Sequence, residues 1–345
     1  MGRLVELKLT MTMSIFLVAF IFAAFLAIIM LILHLSLIYA LIGTIMFVLL
    51  QYLIGPSIVR SSTHLRYLKP GENPWLESTV KDLANKSQIP MPKLALVPAD
   101  TPNAFVFGRT AAGATLAVHE GLLTKLNKDE VEGVIGHELG HLRHKDYIVM
   151  TLLSALPLLA YIIARGTWTA ARFSGASSRR KEEGSMRAAF FIVGIVAYVV
   201  YIISLLCVMK LSRLREHYAD AYSAYVTKSP RSLQSALAKI TYGLSLSQGP
   251  PSGARAFYIG DPALARQEIR LVMARKHEYD LDSDGVLDER ELELAMEKEA
   301  RSTWSRINTW FSTHPPTFKR VLLLREIENE MKSGRYKSNR IYARV

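Results

Sequence analysis

The chain has 345 residues, 50% of them hydrophobic, with a mean hydropathy of +0.18, a net charge of +12 and a pI near 9.7. That is too apolar for an ordinary soluble enzyme of this length. The basic residues gather beside apolar runs and in the C-terminal tail (Lys332, Arg335, Lys337, Arg340, Arg344) without any nucleic-acid fold signature, so anionic lipid headgroups are the expected partner and nucleic acid is not.

Residues 9–59 contain no Asp, Glu, Lys or Arg, about twice the run of roughly 20 that one spanning helix requires. Two spans are predicted, near 10–33 and 35–54, with a short turn at His34 and Ser36 and a stop at Gly55-Pro56. Residues 1–60 thus read as an N-terminal transmembrane hairpin. A cleaved signal peptide is the competing reading, but it would have a shorter apolar core ending at a small-residue cleavage site.

Residues 61–146 read as the first part of a folded domain, with a helix near 75–87, strands at 93–98 and within 104–118, and then a helix that carries His137-Glu138-Leu139-Gly140-His141. Asn127 and Glu130 form its predicted capping pair, and Val131, Ile135, Leu139 and Leu142 its apolar stripe. Side chains at i and i+4 share a helix face, so His137 and His141 can offer ring nitrogens to one ion, with Glu138 within reach of a water on it. That is half of a zinc site with its base attached. His144, one turn beyond His141, reads as a solvent-facing position near the membrane, and His119-Glu120 as a loop pair after a strand at 114–118.

Residues 147–210 hold two further apolar runs, 147–164 and 188–209, separated by a Ser/Gly/Arg-rich stretch at 165–187 that reads as a flexible loop. The second run is long enough to span; the first is short and contains Pro157. The basic loop should be cytoplasmic by the positive-inside rule, yet so should Arg60, Arg66 and Lys69, and an odd number of crossings between them cannot satisfy both. Four spans with a cytoplasmic catalytic part are expected in a multi-pass protein of the cell membrane. The single cysteine, Cys207, lies in the last run and excludes an internal disulfide.

Residues 211–345 supply the rest of the folded domain. Glu216 and Asp220 follow the last apolar run one turn apart. His141 and Glu216 each stand about six residues, roughly 9 Å of helix, from their neighbouring runs. An antiparallel pairing of those runs would bring Glu216 to the histidines, which makes Glu216 the expected third ligand and His217 its rival. Asp220, on the face of Glu216, could accept the remaining N–H of a ligand histidine.

The segment 280–291 fits a twelve-position EF-hand loop: Asp280, Asp282, Asp284, Val286 through its carbonyl, Asp288 and Glu291 at the ligand positions, with Gly285 at the bend. Helical sequence flanks it at 263–278 and 289–300. Calcium is the expected ion, as a structural staple; a plain acidic turn between surface helices is the alternative.

The elements Asn103-Ala-Phe, His137-Glu-Leu-Gly-His141, Glu216-His-Tyr-Ala-Asp220 and Ser312-Thr-His-Pro-Pro316 with Arg320, in this order between the apolar runs, resemble the HtpX family of integral-membrane zinc peptidases, relatives of the prenyl-protein endopeptidases. The resemblance implies one catalytic Zn2+ on His137, His141 and Glu216, Glu138 as general base and Asp220 orienting a ligand. It implies that 103–107 form an edge strand on which Asn103, Ala104 and Phe105 meet a peptide, and that His314 and Arg320 help hold the substrate or its charged intermediate. Protein or peptide substrates, misfolded or damaged membrane proteins among them, follow from it as well. The acidic loop at 280–291 departs from the family's usual pattern.

The expected architecture is α+β: a membrane-anchored, mostly helical zincin-like metallopeptidase with a small β-sheet and about four hydrophobic helices. A catalytically silent scaffold or calcium-responsive adaptor of the same fold is the alternative, and a dedicated prenyl-protein endopeptidase a narrower one.

Overall fold

The computed structural model describes residues 2–32, 36–173, 181–246, 259–260, 262–281, 291, 294–295, 298, 312, 314–337 and 342. Two compact units divide the chain, one formed by 1–5, 56–147 and 212–345, the other by 6–55 and 148–211.

The second unit is made of long apolar helices: α1 (Gly2–Ile32, from Glu6), α2 (Leu37–Thr63, up to Gly55), α6 (Asp146–Phe173, from Ile148) and the first part of α7 (Lys181–Thr227, up to Leu211). Within the described residues four helices are long and apolar enough to cross a membrane. Long apolar side chains such as Phe16, Phe20, Ile42, Met46 and Leu49 stand exposed on α1 and α2. Water would penalise such a surface and hydrocarbon would not. On the inner side Phe22, Phe25 and Ile29 of α1 pack against Ala160 and Ala164 of α6 and Val193, Ala197 and Val200 of α7. The alanines let the backbones approach closely, as apolar helices without a hydrophobic drive between them require.

Two expectations change here. The helix α2 runs through Pro56 to Thr63 instead of stopping at Gly55-Pro56; a proline removes one backbone hydrogen bond, which a long helix survives. The stretch 165–187 is largely helical, since α6 continues to Phe173 and α7 begins at Lys181. Its threonines stay in the helix by back-bonding: Thr167 Oγ1 donates to the Ile163 carbonyl at 2.9 Å and Thr169 Oγ1 to the Arg165 carbonyl at 2.8 Å. Residues 174–180 and the turn at 33–35 lie outside the described residues.

The first unit contains a four-stranded sheet and the remaining helices. Strands β1 (Arg66–Tyr67), β2 (Lys93–Val97), β3 (Ala104–Phe107) and β4 (Thr115–His119) assemble in the order β1-β2-β4-β3. β2 and β4 run parallel and β3 lies antiparallel to β4 with Phe105 opposite Ala117, so β3 is an edge strand. One sheet face buries Ala95, Val97, Phe105, Phe107 and Ala117 with Val59 and Leu65. Helix α3 (Pro74–Lys86) starts with Pro74 after an Asn73 cap that accepts the Leu76 N–H. α4 (Glu120–Lys125) follows β4 directly.

Helix α5 (Lys128–His144) begins with the predicted capping box: Asn127 Oδ1 accepts the Glu130 N–H at 2.9 Å and the Glu130 carboxylate accepts the Asn127 N–H at 2.8 Å. The other Glu130 oxygen is met by Ser235 and Lys239 of α8 (Pro230–Leu246), so one residue both starts α5 and fixes it to its neighbour. The helix ends where Lys145 takes a left-handed φ of 60°. The unbroken helical path from His141 into the apolar run, on which the 9 Å matching relied, is therefore interrupted. Helices α9 (Pro262–Ala274), α10 (Lys276–Tyr279) and α11 (Thr317–Lys332) follow among the described residues.

Candidate metal centre

Three elements of the first unit converge. α5 contributes His137, Glu138 and His141, α7 contributes Glu216 and Asp220, and the end of the chain contributes His314 and Arg320. Gly140 favours the close approach of α5 and α7, since a Cβ there would stand 3.2 Å from the Ala219 Cα.

The facing atoms are those of a ligand set. His137 Nε2 and His141 Nε2 are 3.2 Å apart, and Glu216 reaches them with Oε2 at 3.5 Å and Oε1 at 3.4 Å respectively. These donor atoms all lie within 4.8 Å of one another, and His217 is not among them. The second nitrogen of each ring is engaged elsewhere: His137 Nδ1 is 2.9 Å from Asp220 Oδ1, and His141 Nδ1 is 2.7 Å from Asp146 Oδ2. A proton on each Nδ1 satisfies those carboxylates and leaves two Nε2 lone pairs and a carboxylate turned on one another, all of them acceptors. His137 and Glu216 are buried and His141 partly so. Although Arg320 Nη1 stands 3.4 Å from Glu216 Oε2, two imidazole lone pairs and a carboxylate facing one point are the donor set that a zinc ion takes, so the residues fit it.

The surrounding groups are charged and buried. Arg320, 1% exposed, places Nη2 at 2.7 Å from Asp220 Oδ1 and Nε at 2.9 Å from Oδ2, and donates through Nη1 to the Ile259 carbonyl. Burial works against its charge, but Asp220, with Glu216 and Glu138 behind it, holds the guanidinium more firmly protonated than usual. Burial likewise raises the Glu138 carboxyl above the ordinary range, with His141 and His137 pulling the other way, a tendency that suits a proton acceptor. His314 Nδ1 sits 3.3 Å from Glu216 Oε2. Its backbone is tied by Ser312, whose Oγ donates to the His314 carbonyl at 2.7 Å, while Arg213 Nη1 donates to the Ser312 carbonyl at 2.6 Å.

Other sequence candidates fall in different places. Ala104 and Phe105 begin the edge strand β3, which packs against α5. The Asn103 side chain is fully buried and its Oδ1 accepts the Ile259 N–H at 2.9 Å. Ile259 links it on to Arg320. His144 departs from the expected solvent position: its Nε2 is 2.7 Å from the Tyr342 hydroxyl, and Tyr218, Tyr222 and Tyr342 ring it. His119 is no loop residue either. It ends β4, buried, with Nδ1 3.0 Å from the Thr101 carbonyl. Of the acidic loop, Asp280 and Glu291 are described, and the Leu281 N–H donates to Glu291 Oε1 at 2.5 Å. Asp282, Asp284, Val286 and Asp288 lie outside the described residues.

Sequence reasoning missed Asp146 and its buried partner Arg215, whose Nη2 is 2.9 Å from Asp146 Oδ2. A carboxylate at the very head of an apolar run was the available signal, because such a group is buried only when something holds it.

An HExxH helix whose two imidazoles meet a glutamate from a later helix, in a chain whose described residues include four membrane-length apolar helices, defines a metallopeptidase of the membrane. The chain belongs to peptidase family M48, whose profile matches residues 70–328. It is 39% identical over 218 residues to the Protease HtpX homolog of Methanothermobacter thermautotrophicus, covering 63% of this chain and 78% of that one. The Protease HtpX homolog of Aeropyrum pernix is 34% identical over 278 residues, 80% of this chain and 82% of its own. The crystal structure of S. mikatae Ste24p aligns over 93% of this chain and 67% of that chain, with 16% identity and a TM-score of 0.48.

Proposed function

We propose that this membrane protease is a zinc-dependent endopeptidase that cuts extended segments of membrane or membrane-proximal proteins. The observation that carries the reading is the convergence of His137 Nε2, His141 Nε2 and a Glu216 carboxylate within 4.8 Å. Zinc held there would supply a Lewis acid for the scissile carbonyl and an acidified water. The chain's residues do the rest. Glu138, buried beside the histidines, takes the proton of the attacking water and later gives it to the departing amine. His314, against Glu216, is positioned to donate to the oxygen that becomes negative.

Substrate binding is assigned to β3. Among the described residues β3 is an edge strand, the kind of strand to which an extended peptide adds by backbone pairing, and Ala104 and Phe105 start it close to α5. Only an unfolded stretch can add as a strand, which favours damaged or misfolded proteins as substrates. Calcium in the 280–291 loop is a separate part of the proposal. The complete set of ligand residue types supports it, as does the Glu291 carboxylate, buried and turned back to the Leu281 amide across the loop.

The test is Glu138→Gln in the full chain. The variant should retain zinc and lose cleavage by roughly 100-fold or more, and membranes holding it should accumulate proteins that wild type removes. Proteolysis at the wild-type rate, or activity that survives complete chelation, would refute the assignment.

A further inference from the structure

We infer that Asp146 and Arg215 form a second orienting relay, which holds His141 in the tautomer and rotation that metal binding needs. The inference rests on the metal-dependent reading above. On one side of the candidate centre the order is Arg320, Asp220, His137, with the aspartate 2.7 Å from the guanidinium and 2.9 Å from the imidazole. On the other side the same three residue types recur: Arg215 Nη2 is 2.9 Å from Asp146 Oδ2, and that oxygen is 2.7 Å from His141 Nδ1. Asp146 is 2% exposed and Arg215 4%.

The geometry is that of a group aimed at the histidine. Both Arg215 and His141 converge on Oδ2, while Asp146 Oδ1 and Arg215 Nε are buried without a hydrogen-bond partner. Arg320 closes the fork on both oxygens of Asp220, whereas Arg215 leaves its fork open on Asp146. The single shared oxygen faces Nδ1.

The backbone is bent to the same end. In an uninterrupted helix the fifth residue after His141 would lie about 140° round the axis, facing elsewhere. Lys145, at φ 60°, breaks the helix and starts α6 with Asp146 returned beneath His141. Left-handed backbone at a lysine is uncommon, because its Cβ crowds the following carbonyl oxygen. With the Nδ1 proton bound to Asp146, the Nε2 lone pair is fixed toward Glu216 and His137. Loss of the negative charge frees the ring to carry its proton on Nε2, where it blocks ligation.

The experiment uses the full chain in detergent or nanodiscs, with zinc affinity read by chelator competition and geometry by the visible spectrum of the cobalt-substituted protein. Asp146→Asn should weaken zinc binding by about 10- to 100-fold and alter the cobalt spectrum. Asp146→Asn with Arg215→Met, which leaves no buried guanidinium alone, should stay equally weak while the metal-free protein melts close to wild type. Wild-type affinity and spectrum in Asp146→Asn would overturn the relay and leave the metal centre standing. Recovery of wild-type affinity in the double variant would overturn it too, tracing the loss to the stranded arginine. If wild type and His141→Ala both take up no zinc, the metal reading falls and the relay with it.

Discussion

Gly140 of α5 lies against Ala219 of α7 so closely that a methyl group in place of its hydrogen would stand 3.2 Å from the Ala219 Cα and 3.3 Å from Tyr222 Cβ. The glycine inside the HELGH sequence, with Gly136 one turn before it, therefore lets the helix that carries the histidines lie close to the helix that carries Glu216. Gly140→Val should drive the two apart, lower zinc retention at least tenfold and cost about 1–3 kcal/mol of stability. Metal analysis after dialysis, together with a thermal melt, checks this; full retention of zinc would show that the helices can yield without spreading.

Arg320 and Asp220 predict the largest loss of stability. Removing one partner of a buried, bidentate pair strands the other charge, so Arg320→Met should cost about 3–5 kcal/mol. Replacing both, with Asp220→Asn added, should be milder, because no unpaired charge remains inside. The two melting curves decide it: the double variant should unfold at the higher temperature.

His119 predicts an acid-sensitive fold. Burial holds its imidazole down to about 4, against an ordinary 6.5, although the Thr101 carbonyl pulls the other way. The unfolded chain thus binds a proton that the folded chain refuses. Stability is complete above about pH 6.5 and falls as the pH drops toward 4, by on the order of 3 kcal/mol over that window. His119→Gln cannot titrate and should flatten this part of the profile. Parallel melts at pH 4.5 and 7 measure the difference, and identical slopes in both proteins would remove His119 as the cause.

The 280–291 loop predicts a metal response independent of zinc. Terbium, a luminescent stand-in for calcium, should bind the zinc-loaded protein, and calcium should compete for it and raise the melting temperature. Asp284→Ala should abolish both effects and leave zinc content unchanged. Calorimetry at millimolar calcium with no heat of binding would dismiss the site.

The parts of the centre that obey helical arithmetic were legible in the sequence. His137 and His141 are four apart on one helix, Glu216 and Asp220 four apart on another, and the Asn127–Glu130 cap marks where the first begins. The strands near 93–98 and 104–118 could be read from their apolar runs, and β3 does stand at the sheet edge. Other features depend on tertiary placement or on one exceptional dihedral angle. Nothing in the local pattern announces that Lys145 turns left-handed, so the sequence does not single out Asp146. Ile259 lies between Asn103 and Arg320 in space but 156 and 61 residues from them in sequence. The stretch at 165–173 reads as loop because Gly and Thr are poor helix formers, whereas its threonines satisfy themselves on helix carbonyls.

The connection from Asn103 through Ile259 to Arg320 bears on how a bound peptide is measured. Asn103 stands immediately before β3, and its side chain is joined through two consecutive links to the arginine that holds Asp220 and, through it, His137. These links tie the start of the strand to the imidazole. If substrates pair with β3 as proposed, a peptide laid along it would be cut at a set count of residues from the point where pairing starts. Fragments from unrelated substrates should consequently share a length pattern more than a sequence motif.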